Sequence, residues 1–307
     1  MRHFIRPPYL KPGDTIGLVA MASAIAQSQR TPEYEEKWSA VFHSWGLKVK
    51  KGKYLYESLS GDFAGEDALR AEDMREMLLD EEVKAIISFR GGYGSMRTLT
   101  HLDLNLFKKY PKWLVGFSDI TIFHNALNSL GLESILGAMP STFGDAPQET
   151  FDSLYDALFG RKMHYSTEPH PFSKSGKCRG RLVGGNLCLF ASTIGTPIQN
   201  LFEEDSILFI EDIGEKMHTV DRMLLTMRYA GMLDRLKGMI IGQFTDTADS
   251  DTWGKDVYTL IKEHTDPLDC PVLFGFPCGH EQPNYSLVLG REAVMEVSPD
   301  GGFLRLL

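Results

Sequence analysis

The strongest constraint on this chain is a repeated local order: a short apolar run, a turn of small residues, then a segment with helical spacing. TIGLVAMAS follows the turn-forming Lys11-Pro12-Gly13-Asp14 and leads into TPEYEEKWSAVFHSWG. In that second segment Thr31 is placed to cap a helix, Pro32 fits its first position and Gly46 its end. LKVKKGKYLY and AGEDALRAEDMREMLLD repeat the pair. Residues 83–89 run into Arg90-Gly91-Gly92-Tyr93-Gly94, Trp113-Leu114-Val115 runs into Gly116-Phe117-Ser118-Asp119, and a strand is expected near 135–139. Alternation of this kind specifies an α/β fold with a doubly wound, mostly parallel sheet. Ligands in such sheets bind beyond the carboxyl ends of the strands, where both the glycine-rich turn and Ser118 fall.

Phe123, Ala126, Leu127 and Leu130 recur at the three- and four-residue steps of one helix face after Ser118. A strand turning sharply through Gly116 into that helix exposes the Ser118 hydroxyl beside the free N–H groups of the helix start. A nucleophilic serine is presented in this way. The motif lacks the second glycine of G-x-S-x-G, and the alternative role for Ser118 is a helix N-cap. Glycines at 91, 92 and 94 let backbone approach a ligand closely. They suit an oxyanion hole made by the N–H groups of Gly92 and Asp119. The rival is dinucleotide binding, but the third glycine position of that fingerprint holds Arg97, and no G-x-x-x-x-G-K-[ST] occurs.

The pattern loosens over 146–177, where one helix (149–159) precedes the polar, proline-punctuated HYSTEPHPFSKSGK. This segment is expected to link a nucleophile domain, 1–145, to a strand-rich domain, 178–307. The second domain offers the glycine-rich RLVGGNLCLFASTIGTP, the strand SILFIED, the helix TVDRMLLTMRYAGML and the strand LKGMIIGQF. A helix over 257–264 and the strands PVLFGF, SLVLG and EAVMEVS complete it. SILFI ends in Glu211-Asp212, with Glu215 close behind, and PVLFGF ends in a Gly/Pro loop carrying His280. Histidine is the natural general base near neutral pH, and a carboxylate can orient its ring. The bland alternatives are a solvated strand-end acid for Glu211 and a surface residue for His280.

A formal net charge of −9 argues against nucleic acid or an anionic membrane as the main partner. The four cysteines (Cys178, Cys188, Cys270, Cys278) form no C-x-x-C pair and are expected to be reduced thiols. No metal and no other cofactor is expected. The start, MRHFIRPPYLKPGD, lacks an apolar h-region, and no run of about 18 apolar residues occurs. The expected location is the cytoplasm.

FRGGYG, VGFSD, LVGGNL, FIEDIGE with the following DRML, and GHEQPN occur in the order and approximate spacing of the serine LD-carboxypeptidases. The chain resembles this family, which also includes the microcin C immunity proteins, from Lys11 to the final strands. The resemblance implies a flavodoxin-like first domain, a strand-rich second domain, a homodimer and a Ser-Glu-His triad between the domains. Carried over by motif, the nucleophile is Ser118, the acid Glu211 and the base His280, with Gly92 and Asp119 N–H as oxyanion donors. Glu215 stands close to Glu211 in the same motif. The implied substrate is a cytoplasmic murein tetrapeptide that loses its terminal D-alanine in cell-wall recycling, and Arg90 is a candidate to read the terminal carboxylate. An immunity-type hydrolase of peptidyl- or aminoacyl-nucleotides and a non-catalytic binding module are the alternatives.

Overall fold

The structure, a computed structural model, describes residues 4–60, 62–199 and 205–307. The first half alternates as its sequence predicts: β1 (Thr15–Val19), α1 (Pro32–Ser44), β2 (Lys48–Lys51), α2 (Asp67–Leu79) and β3 (Val83–Ser88). Two short helices, α3 (Ser95–Leu99) and α4 (Asn105–Lys109), precede β4 (Trp113–Gly116), α5 (Thr121–Ser129) and β5 (Ser134–Leu136). Helix α1 starts where the Thr31 hydroxyl accepts the Tyr34 N–H at 3.2 Å. It buries Trp38 and Phe42 and leaves through Gly46 at φ +75°. The strands pair in parallel in the order β2-β1-β3-β4-β5, which is the flavodoxin-like order. The lysine-rich β2 lies at the edge, where exposed cations discourage further pairing.

The second half contains α6 (Gln148–Phe159), β6 (His164–Thr167), β7 (Gly176–Asn186), α7 (Leu187–Ser192), β8 (Ser206–Ile213) and α8 (Met217–Tyr229). It continues with β9 (Gly238–Thr245), α9 (Ser250–Trp253), α10 (Val257–Thr265), β10 (Val272–Phe274), β11 (Leu287–Leu289), β12 (Glu292–Ser298) and β13 (Gly301–Leu306). Its sheet has the order β10-β9-β8-β7-β12-β13-β6, parallel from β10 to β7 and antiparallel beyond.

Two features differ from the expected domain division. Segment 146–177 is not a free connection, because β6 pairs with β13 and β7 starts at Gly176. The short strand β11 leaves the second half and pairs antiparallel with β5, so the first sheet has six strands. The halves also share a core: Leu182, Phe209 and Phe276 pack in one apolar cluster with Phe89, Trp113 and Phe123. Helix α5 therefore has no solvent face. Every residue from Thr121 to Asn128 is buried, where the sequence pattern alone marks one apolar stripe. Among the described residues no helix is long and apolar enough to cross a membrane.

Candidate active site

The turn after β4 is tight and strained. A Cβ on Gly116 would lie 2.8 Å from the Ile120 side chain, so a residue with a side chain does not fit beneath the turn. Ser118 sits at φ +61°, a left-handed conformation that costs a non-glycine residue on the order of 1 kcal/mol. The wholly buried His124 of α5 fastens this corner. Its Nε2 lies 2.8 Å from the Gly116 carbonyl and its Nδ1 2.9 Å from Ser134 Oγ. Burial pushes its pKa down to about 4. A neutral ring has one N–H, and a carbonyl can only accept, so Nε2 donates to Gly116 and the Ser134 hydroxyl donates to Nδ1.

The glycine-rich turn after β3 backs onto this corner. A Cβ on Gly91 would lie 3.0 Å from Ser118 Cβ and 3.3 Å from the Asp119 nitrogen. Gly92 adopts φ +105°, and its missing Cβ would stand 2.2 Å from Ser23 Oγ. Ser23 Oγ accepts the Tyr93 N–H at 3.0 Å, and Ser23 N–H donates to the Gly91 carbonyl at 3.2 Å. On the other side the buried Asp119 carboxylate accepts the Ser95 N–H at 2.7 Å. Burial, against those local hydrogen bonds, raises the Asp119 pKa. The segment carrying Gly92 is thus held between the end of β1 and the Ser118 turn.

Glu211 ends the apolar run of β8, and His280 lies in the loop after β10. His280 Nδ1 and Glu211 Oε2 are 2.7 Å apart, with side chains 14% and 1% exposed. Burial disfavours the imidazolium, but the hydrogen bond and charge of Glu211, with the charge of Asp212, outweigh it. The His280 pKa is therefore raised. Phe117 packs its ring edge-on against the imidazole, with centroids 5.0 Å apart. Glu215, the second acid of the motif, is placed otherwise. It raises the Cys188 thiol through charge and a hydrogen bond, after burial as the main cause. The carboxylate that meets His280 is Glu211.

Behind the pair lies a polar group that strand and helix periodicity did not reveal. Asp212 accepts from Asn186 Nδ2 at 2.8 Å, the Cys188 N–H at 2.9 Å and the Ile213 N–H at 2.9 Å. Burial first, and then the charge of Glu211, pushes the Asp212 pKa up to about 7. Three donors aimed at its oxygens oppose that and favour the carboxylate. The Asn186 N–H donates to Thr121 Oγ1 at 3.0 Å, three residues after Ser118, which ties β7 to the start of α5. The Asn186 of LVGGNL was visible only as part of a glycine-rich motif.

Ser118, His280, Gly92, Phe117 and Arg90 line one open cleft of about 380 Å³. It lies at the carboxyl ends of β3 and β4, the place a doubly wound sheet reserves for ligands. Arg90 donates one guanidinium N–H to the Ala24 carbonyl at 3.0 Å and otherwise faces the cleft wall. A larger apolar groove of about 470 Å³ lies at the opposite ends of the strands, near Asp14, Val83 and Lys112, away from these groups. All four cysteines are free. Among the described residues no group of three or more His, Cys, Asp or Glu is arranged to hold a metal ion.

Residues 16–137 match the family model of the LD-carboxypeptidase N-terminal domain, and residues 179–295 match that of the LD-carboxypeptidase C-terminal domain. This chain belongs to the LD-carboxypeptidase family. A Bacillus subtilis family protein named probable murein peptide carboxypeptidase is 33% identical over 300 residues, covering 95% of this chain and 92% of its own. The crystal structure of muramoyltetrapeptide carboxypeptidase from Oxalobacter formigenes superposes with a TM-score of 0.84 at 28% identity, covering 95% of this chain and 98% of that one. The microcin C7 self-immunity protein of Escherichia coli is 26% identical over 314 residues, 91% of this chain and 89% of its own. Membership of the LD-carboxypeptidase family, with these names, supports a hydrolase of carboxypeptidase activity.

Proposed function

We propose that this chain is a serine LD-carboxypeptidase that removes the terminal D-alanine from a murein tetrapeptide through an acyl-enzyme. The observation that carries the reading is the buried Glu211–His280 hydrogen bond of 2.7 Å, opening on the same cleft as Ser118 in its strained turn. Glu211 accepts from His280 Nδ1, which leaves Nε2 as the basic nitrogen. His280 takes the Ser118 proton as Oγ attacks the carbonyl of the last amide. The oxyanion is met by the N–H groups of Gly92 and Asp119. The C–N bond then breaks, with His280 returning the proton to the departing D-alanine amine. Water, deprotonated by His280, hydrolyses the ester and restores Ser118. Arg90 holds the terminal carboxylate, which restricts cleavage to the chain end. The enzyme acts in the cytoplasm, as a homodimer.

A second reading is an immunity-type hydrolase of peptidyl- or aminoacyl-nucleotides, favoured by the similarity to the microcin C7 self-immunity protein over 91% of this chain. Mass-spectrometric product analysis of wild type and Ser118→Ala separates the two. Loss of one D-alanine from murein tetrapeptide by wild type alone is the expected result. Turnover of only an aminoacyl-nucleotide conjugate transfers the assignment to the second reading. Binding without cleavage of either substrate overturns both and leaves a non-catalytic module. Light scattering after size exclusion tests the dimer.

A further inference from the structure

Strand β9 is apolar until its end, where half-buried Gln243 and Thr245 alternate with buried Phe244. The position of Gln243 follows from a break in the ladder. β8 and β9 pair Ile210 with Ile241 and then Asp212 with Phe244, so Gly242 and Gln243 together oppose the single residue Glu211. Such a bulge re-aims the side chains of the longer strand. Gly242 permits it, since a Cβ there would lie 2.5 Å from the Cys278 carbonyl oxygen.

The bulge lets β9 follow the loop that carries His280. The Phe276 N–H donates to the Ile241 carbonyl at 3.1 Å, and the Gln243 N–H to the Cys278 carbonyl at 3.1 Å. Beyond Cys278 the main chains part and the Gln243 side chain continues the contact. Its Oε1 accepts the Glu281 N–H at 2.9 Å, and its Nε2 donates to the Pro283 carbonyl at 3.2 Å. These three bonds bracket His280 on both sides. Gly279 brings the two systems together: its missing Cβ would stand 2.9 Å from Gln243 Cβ and 3.2 Å from Glu211 Oε2. The pairing also dictates the residue type. One end of the side chain must accept an N–H and the other must donate to a carbonyl, which an amide does and a carboxylate, ammonium or aliphatic group does not.

We infer that Gln243 is the positioning residue of the general base, holding the 278–283 loop so that the His280 ring meets both Glu211 and Ser118. The inference rests on the reading of His280 as that base. It enters catalysis through preorganisation, where displacement of a reacting group by about 1 Å can cost roughly 100-fold.

The test compares the full chain as wild type, Gln243→Leu, Gln243→Glu and His280→Gln. It measures kcat and KM on murein tetrapeptide, labelling of Ser118 by a fluorophosphonate, and Tm. Gln243→Leu is expected to lower kcat and the labelling rate together by about 10- to 100-fold with KM within about twofold. Gln243→Glu keeps the acceptor for Glu281 N–H and adds a carboxylate to Glu211 and Asp212, the charges that already face His280. It is expected to recover part of kcat with the acid limb of kcat/KM moved to higher pH. Wild-type kcat in Gln243→Leu while His280→Gln is inactive overturns the inference alone, as does a loss confined to KM. An unmoved acid limb in Gln243→Glu also overturns it, and remains readable should Gln243→Leu not fold. Wild-type turnover in His280→Gln overturns the base assignment and the inference with it.

Discussion

Replacing Glu211 by glutamine isolates the charge of the acid from its shape. A glutamine oxygen can still accept from His280 Nδ1, so the ring keeps its orientation and loses only the carboxylate that faces it at 2.7 Å. With charge centres about 4 Å apart and an effective dielectric near 20, the attraction to an imidazolium is about 4 kcal/mol. Truncating one partner of a buried charge pair generally costs about 3–5 kcal/mol. In the proposed mechanism the imidazolium forms as Ser118 attacks, so most of this appears in the barrier. A loss of about 3–4 kcal/mol is roughly a 100- to 1000-fold fall in kcat. The pH profile carries an independent sign. Glu211 helps to raise the His280 pKa above the ordinary imidazole value of 6.5, so Glu211→Gln moves the acid limb of kcat/KM to lower pH even as the plateau falls. Stability follows the same linkage. A raised pKa contributes stability that is fully present below 6.5 and is lost as pH rises through the folded-state value. The Tm deficit of Glu211→Gln is therefore largest on the acid side and shrinks with rising pH. The assay is kcat and kcat/KM across pH with Tm recorded in the same buffers. A fall in kcat of less than about threefold, or an acid limb moved upward, refutes the reasoning.

Ser118→Gly removes both the proposed nucleophile and the strain of φ +61°. It is expected to abolish turnover while raising Tm by about 2 °C, the shift that follows from relief of roughly 1 kcal/mol in a chain of this size, and a lowered Tm in calorimetry contradicts the strained turn. Gly92→Ala sets a Cβ 2.2 Å from Ser23 Oγ at φ +105°. The turn must shift, and steady-state kinetics should show kcat down about 100- to 1000-fold with KM little changed; unchanged kcat removes Gly92 from the proposed oxyanion hole. Asp212→Asn deletes a charge that contributes to raising the His280 pKa. Its acid limb in kcat/KM is expected at lower pH than in wild type, and an unmoved limb means that Asp212 does not act on His280.

Much of the fold is local physics that the sequence carries in the open. Thr31, Pro32 and Gly46 bound α1 because capping and a left-handed exit concern neighbouring residues only. The strands around 83–89 and 113–116 announce themselves as continuous apolar runs because both faces are covered. The turn at Gly116–Ser118 likewise lies within a few residues of itself, and its position at a strand end marked it as a candidate site. Chain order and motif were enough to bring Ser118, Glu211 and His280 forward as residue types.

Pairing was a different matter. Glu211 and Glu215 are equivalent in composition, and only the register of β8 beside β7 and β9 aims the first at His280, 69 residues away in sequence. The crossing of β11 into the first sheet, the burial of α5 on every side and the Thr121–Asn186–Asp212 connection arise because two sheets share one core. Gln243 reads as an ordinary residue of an apolar strand until a one-residue bulge turns it towards the His280 loop. The sequence by itself determined the strands, caps and turns, whose energies are settled between near neighbours. Tertiary structure alone decided which carboxylate meets which imidazole, since that depends on strand order, register and a bulge, and these are fixed by packing across the whole chain.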